Sequence, residues 1–145
     1  ESLCHSGHSK ESLREAYRIL KPGAHFVLAD AFLKKTPATL CQGASYSYTK
    51  LCKGWSLDGL GVISEVKENL QQIGFSNVTV EDISFRVAPS VFHVPFAIVG
   101  FLLKNIFQGK TLKHQSWSNL KASFYALLSG LHLNDFGYFI ITAKK

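Results

Sequence analysis

The 145 residues predict an α/β fold in which helices flank a parallel sheet. Three observations predict it. Leu13, Ala16, Tyr17 and Leu20 recur at helical spacing and are stopped by Pro22-Gly23. Phe26-Val27-Leu28-Ala29 follows at once as a continuous apolar run, the pattern of a strand covered on both faces. Further on, a helix, Gly74-Phe75 and an alternating segment repeat the helix-to-strand order. A helix, a short Pro-Gly loop and a buried strand form one unit of a doubly wound fold.

Residues 1–8, ESLCHSGH, read as a strand end running into a loop, with Ser9 as the N-cap of the first helix. The strand that follows ends near Asp30, and ligands of open α/β sheets bind outside such C-terminal ends. Residues 33–61 are too long for an ordinary connection and carry Tyr46, Tyr48, Trp55 and four glycines, which predicts a functional loop with short helical pieces. Ile63, Val66, Leu70 and Ile73 share one face of a helix closed by Gly74, and Phe75 is placed to pack back against it. Asn77 to Ser84 then alternates as a strand.

Residues 86–109 are the most apolar part of the chain. The uninterrupted stretch Val94–Leu103 contains Pro95 and falls short of the roughly 20 residues that cross a bilayer. The expectation is a buried or interfacial helix. Residues 110–115 form a polar connection, and Ser116 or Ser118 caps a helix carrying Trp117, Leu120, Phe124, Leu127, Leu128 and Leu131. Asn134-Asp135 turns the chain into a last strand, Phe136 to Ala143.

Composition excludes several classes. An apolar fraction of 46% and a charged fraction of 18% describe a globular chain, not a disordered one. The net charge of +6 comes from scattered residues with no run longer than a pair, so no nucleic-acid footprint is expected. Cys4, Cys41 and Cys52 are odd in number and widely spaced, which reads as reduced thiols in a cytoplasmic protein. His5 and His8 make a weak ligand pair, His93, His114 and His132 stand isolated in the sequence, and no metal is expected. The chain has no methionine, so it reads as processed or as a piece of a longer polypeptide.

Five marks occur in order: Glu1-Ser2-Leu3-Cys4-His5; S-L-R-E-A-Y-R-I-L-K-P-G at 12–23; the apolar strand ending in Asp30; Gly74-Phe75 before Val78-Thr79-Val80; and Phe136-Gly137-Tyr138 leading into Ile140-Ile141-Thr142-Ala143-Lys144. Together they resemble class I S-adenosylmethionine-dependent methyltransferases of the small-molecule type, from the fourth strand to the seventh. E-A-Y-R-I-L-K-P-G carries most of the likeness, with Ala24 in place of a second glycine. The opening Glu-Ser-x-Cys-His resembles the sterol and tocopherol methyltransferase branch.

The resemblance implies that residues 1–145 form the C-terminal half of a Rossmann-like seven-stranded methyltransferase sheet with helical cover. Insertions at about 33–61 and 86–132 would form an acceptor-side cover. It implies S-adenosyl-L-methionine as cofactor and methyl transfer to a small, lipophilic acceptor. No G-x-G-x-x-G follows a strand, so a missing N-terminal half of the same polypeptide would have to hold most of the cofactor. Glu1, Ser2 and Leu3 would meet the cofactor. Glu1 and His5 would lie between its sulfonium and the acceptor, Glu1 stabilising a cationic centre and His5 serving as base, since histidine is the side-chain type suited to proton exchange near neutral pH. Asp30, Tyr46, Tyr48 and Trp55 would contact the acceptor, the aromatics as walls.

For each of these residues a plainer role stands beside the functional one. Glu1 and His5 end a strand, Asp30 caps the next turn, and the three aromatics pack a loop. A second reading makes the chain a non-catalytic lipid- or membrane-associated module, or a degenerate methyltransferase partner subunit. The apolar helix would cover a lipophilic acceptor or meet a membrane periphery; its plainer role is to pack on the missing half or form a homodimer face. An NAD-dependent oxidoreductase is disfavoured by the last strand following a long insertion.

Overall fold

The structure is a computed structural model and describes residues 2–109 and 113–145. Its secondary structure begins with a 3-10 turn at Leu3–His5, where a strand end was expected. Then follow α1 (Ser9–Ile19), β1 (His25–Leu33), a 3-10 turn at Pro37–Thr39, α2 (Gln42–Trp55), α3 (Ile63–Ile73), β2 (Ser76–Asp82), α4 (Ser84–Phe107), α5 (His114–Leu131) and β3 (Phe136–Lys144). Residues 110–112 of the polar connection lie outside the described residues.

The strands order as β1-β3-β2, and β3 runs antiparallel to both neighbours. β1 and β2 therefore run parallel to each other with the last strand between them. β3 pairs with β1 from Phe136↔Leu33 to Lys144↔His25. The β2 ladder shifts register between Ser76 and Thr79, and Asn77 sits there at φ 51, a left-handed conformation that asparagine tolerates.

Helices α1 and α3 cover one face of this sheet. Leu13, Val66, Leu70 and Phe75 pack there with Phe32, Phe139, Ile141 and Ala143, and Leu3 closes the cluster. Tyr17 and Phe75 meet edge to face at 4.9 Å, and Phe26 lies 5.0 Å from Phe75. Gly74 is required twice over. Its φ of 116 favours glycine, and a Cβ there would stand 2.9 Å from the Tyr17 hydroxyl. The Lys145 ammonium finishes α1, donating to the carbonyls of Tyr17 (2.6 Å) and Leu20 (2.9 Å).

The opposite sheet face corrects the expectation that the first strand is covered on both sides. Val27 is 65% exposed. It stands in line with Thr142 and Thr79, whose hydroxyls meet at 2.6 Å in solvent. Among the described residues no helix covers this stripe.

Residues 33–61 are more regular than expected: about half of the segment is the 14-residue α2. It packs against α5, and the approach is close because Gly54 faces Ala122, whose Cβ would be 2.6 Å from a Cβ at 54. Ser129 donates to Ser47 at 3.1 Å inside this contact. The α5 start also differs, since the helix begins at His114 after Lys113. At α1, Ser9 is the first helical residue and His8 holds the N-cap position without a side-chain bond.

The largest departure is α4. It is a 24-residue helix with Pro89 and Pro95 inside it and no buried residue. Its length and composition suffice to cross a membrane, and its apolar window is 0% buried. The unbroken apolar stretch Val94–Leu103 falls short of a span, but the helix extends beyond it at both ends, through Pro89 and through Lys104.

Candidate functional site at the end of β1

In the C-terminal half of β1, which runs on to Leu33 rather than ending near Asp30, a buried carboxylate meets the N-terminal segment. Asp30 is 1% exposed. Its Oδ2 accepts the backbone N–H groups of Leu3 (3.0 Å) and Cys4 (3.2 Å), and its Oδ1 accepts the N–H of Ala31 (2.8 Å). Two free amides of a tight 3-10 turn converge on one carboxylate, a charge-assisted arrangement worth more than neutral hydrogen bonds. Leu3 then sinks into the α1/α3 core at 8% exposure, and Ser6 folds back to the Leu3 carbonyl at 2.8 Å. Asp30 thus ties the segment of Ser2, Leu3 and His5 to the C-terminal end of the strand.

Ser2 and His5 are exposed beside this clamp, and the His5 N–H donates to the Ser2 carbonyl at 3.2 Å. Glu1 lies outside the described residues. Burial, then the Asp30 charge and hydrogen bond, push the Cys4 thiol up to about 11. A thiol so held is a poor nucleophile, because the thiolate is the reactive form. Gly7 turns the chain at φ 63, and a Cβ there would be 2.9 Å from Asp58.

The three aromatics do not act together. Tyr48 joins a second small core under the end of β1, with Leu33, Ala44, Val62 and Phe136. Its ring lies 5.8 Å from Phe136, its hydroxyl accepts the Leu60 N–H at 2.9 Å, and burial pushes it up to about 12. Tyr46, two residues away, falls on another face of α2 and meets Tyr125 of α5 edge to face at 6.0 Å. Trp55 is partly exposed at the last turn of α2. So Ser2, Leu3 and His5 gather beside Asp30, Tyr48 belongs to the separate small core around Leu33, and Tyr46 to the α2/α5 contact.

One group escaped sequence reasoning. Cys41, His132 and Asp135 offer ligand atoms all within 4.8 Å of one another. His132 is therefore not isolated. The residues lie 91 and 94 positions from Cys41, so no spacing motif marks them. A surface depression of about 370 Å³ lined by Lys10, Arg14, Tyr17, Gln72 and Ile73 involves none of the expected site residues.

No protein-family model matches the sequence, and no curated protein matches it significantly. Solved structures do match. Phosphoethanolamine N-methyltransferase 2 of Haemonchus contortus, solved with phosphomonomethylethanolamine and S-adenosylhomocysteine, aligns with a TM-score of 0.73 at 16% identity, covering 100% of this chain and 32% of that one. A sarcosine dimethylglycine methyltransferase from Galdieria sulphuraria aligns with a TM-score of 0.72 at 13% identity, covering 100% of this chain and 50% of the other. The [4+2]-cyclase SpnF aligns with a TM-score of 0.59 at 19% identity, over 100% of this chain and 47% of its own. At these identities the likeness establishes the fold. It is Rossmann-like, in keeping with a C-terminal part of such chains. The chain spans 32% to 50% of these three proteins.

Proposed function

We propose that this chain is the acceptor-side half of an S-adenosyl-L-methionine-dependent methyltransferase acting on a small, lipophilic molecule. The observation that carries the reading is the Asp30 clamp at the end of β1, within a fold shared with two methyltransferases. Methyl transfer is an in-line displacement, so its first demand is a fixed approach of nucleophile to sulfonium. A turn tied to a rigid strand meets that demand better than a free loop. In this reading Ser2 and Leu3 border the cofactor, and His5 and Glu1 face the acceptor. Tyr48 walls the end of β1, and Asp30 positions the turn through its peptide bonds. The glycine-rich cofactor-binding loop would come from residues outside these 145.

The lipophilic acceptor is inferred from α4, whose unburied apolar surface suits a lipid-like molecule or a membrane periphery. The same helix supports a second reading, a lipid-associated module without catalysis. SpnF, named as a cyclase, illustrates that this fold alone does not assign methyl transfer.

The test is transfer of labelled methyl from S-adenosylmethionine by the full-length protein to a panel of small amines, phenols and isoprenoid lipids. Methylation that falls at least about 10-fold in His5→Ala, with binding of S-adenosylhomocysteine retained, supports the reading. Lipid-vesicle binding by a folded protein that transfers no methyl group to any acceptor supports the second reading instead.

A further inference from the structure

We propose that Cys41, His132 and Asp135 form a binding site for a zinc-like divalent cation. Two segments distant in sequence converge there, since His132 and Asp135 share one turn. Cys41 stands at the N-cap position of α2, His132 at the C-cap of α5, and Asp135 in the turn that opens β3. The Cys41 sulfur lies 3.6 Å from His132 Nδ1 and 3.5 Å from Asp135 Oδ2. A tetrahedral ion bound at ~2.3 Å to sulfur and ~2.0–2.1 Å to nitrogen and oxygen sets its ligand atoms about 3.5 Å apart. The two separations from sulfur already match edges of such a tetrahedron, and all three ligand atoms lie within 4.8 Å of one another.

Ligand chemistry and charge agree. Thiolate, imidazole and carboxylate together favour zinc over magnesium or calcium, which prefer oxygen alone. Binding replaces the S–H proton, released to solvent, and thiolate plus carboxylate balance a divalent charge. The Lys35 ammonium takes the other oxygen of Asp135, Oδ1, at 2.9 Å and leaves Oδ2 aimed at the site. Asp135 is buried, whereas Cys41 is exposed, which provides an entry path and a fourth position for water. Gly43 fits the same purpose, since a Cβ there would come 3.3 Å from the His132 ring.

A cysteine-nucleophile triad is the other chemistry these residue types perform, and the geometry disfavours it. In a triad the acid orients the far nitrogen of the base. Here the carboxylate contacts the sulfur itself. The ion would instead pin the first turn of α2 to the end of α5, closing a contact otherwise made by small residues such as Ala44, Ser47 and Ser129.

The experiment uses the tag-free protein carrying this chain, stripped by a chelator and titrated with zinc against a chromophoric competitor, and separately with cobalt. The expected result is one equivalent of zinc and a thiolate-to-cobalt charge-transfer band. Cys41→Ser removes the band and Asp135→Asn weakens zinc at least about 10-fold. Cys41 is exposed, so its serine variant keeps its circular dichroism. In the unmutated protein, zinc also slows alkylation of Cys41 and leaves Cys4 and Cys52 unchanged. A folded protein that takes up no zinc, or a cobalt band and affinity unchanged in Cys41→Ser, overturns the proposal and leaves a hydrogen-bonded thiol.

Discussion

Helices α3 and α4 are both apolar enough to be expected inside, and only α3 is. In α3, eleven residues set Val66 and Leu70 on one stripe, and that stripe meets the sheet with Leu70 at 0% exposure. In α4, twenty-four residues carry apolar side chains all round, and none is buried. Phe85, Phe92, Phe96, Ile106 and Phe107 lie open. A helix enters a core through a periodic face matched to a surface, not through total hydrophobicity. An apolar helix without such a face presents its side chains to whatever lies beyond the chain.

The comparison can be broken most severely in α3. Leu70→Ala removes a fully buried side chain and should cost about 2–5 kcal/mol in denaturant unfolding. Gly74→Ala forces an L residue into φ 116 against the Tyr17 hydroxyl and should cost roughly 1–3 kcal/mol, read the same way. Phe96→Ser in α4 should change stability by less than about 0.5 kcal/mol, yet reduce adsorption to lipid vesicles measured by flotation. A large loss of stability from Phe96→Ser would mean that α4 packs after all.

Two chemical probes sharpen the contrast between tied and open groups. The Lys35 ammonium beside Asp135, against the cost of burial, holds its carboxyl below the usual carboxylate range. A depressed folded value gives stability that is complete above the unfolded value of about 3.9 and lost as pH falls through the folded one. The difference in melting temperature between the protein and Asp135→Asn should therefore be full at pH 7 and shrink progressively in acid below about pH 4. The smallest expected effect is kinetic. With chelator present, exposed Cys41 should alkylate first. Cys4, pushed up to about 11, should react slowest near pH 8, as mass spectrometry of timed samples would show.

The sheet and its α1/α3 cover were legible because local pattern and global fold agree there. Leu13 to Leu20, the Pro22-Gly23 stop, the run Phe26–Ala29 and Gly74-Phe75 each carry their own periodicity or turn chemistry. The order β1-β3-β2 and the antiparallel run of β3 were not read, because register across 100 residues leaves no local mark. The second face of β1 was misjudged for a related reason: a continuous apolar run looks the same whether one face or both are covered.

The site was legible in part. A position at the end of a strand singled out Asp30. That its carboxylate is occupied by the amides of Leu3 and Cys4 depends on the fold of a turn, which residue types do not encode. Tyr46 and Tyr48 were grouped by composition, yet neighbours two apart in a helix face different ways. Cys41, His132 and Asp135 were unreadable, since their convergence rests on how α2 meets α5.

The most direct measurement is calorimetric binding of S-adenosylhomocysteine to the full-length protein, compared with Asp30→Ala. The account predicts micromolar binding that weakens at least about 10-fold when the clamp on Leu3 and Cys4 is removed, with circular dichroism unchanged. A folded, full-length protein that binds no S-adenosylhomocysteine, or binds it equally well without Asp30, would contradict the account.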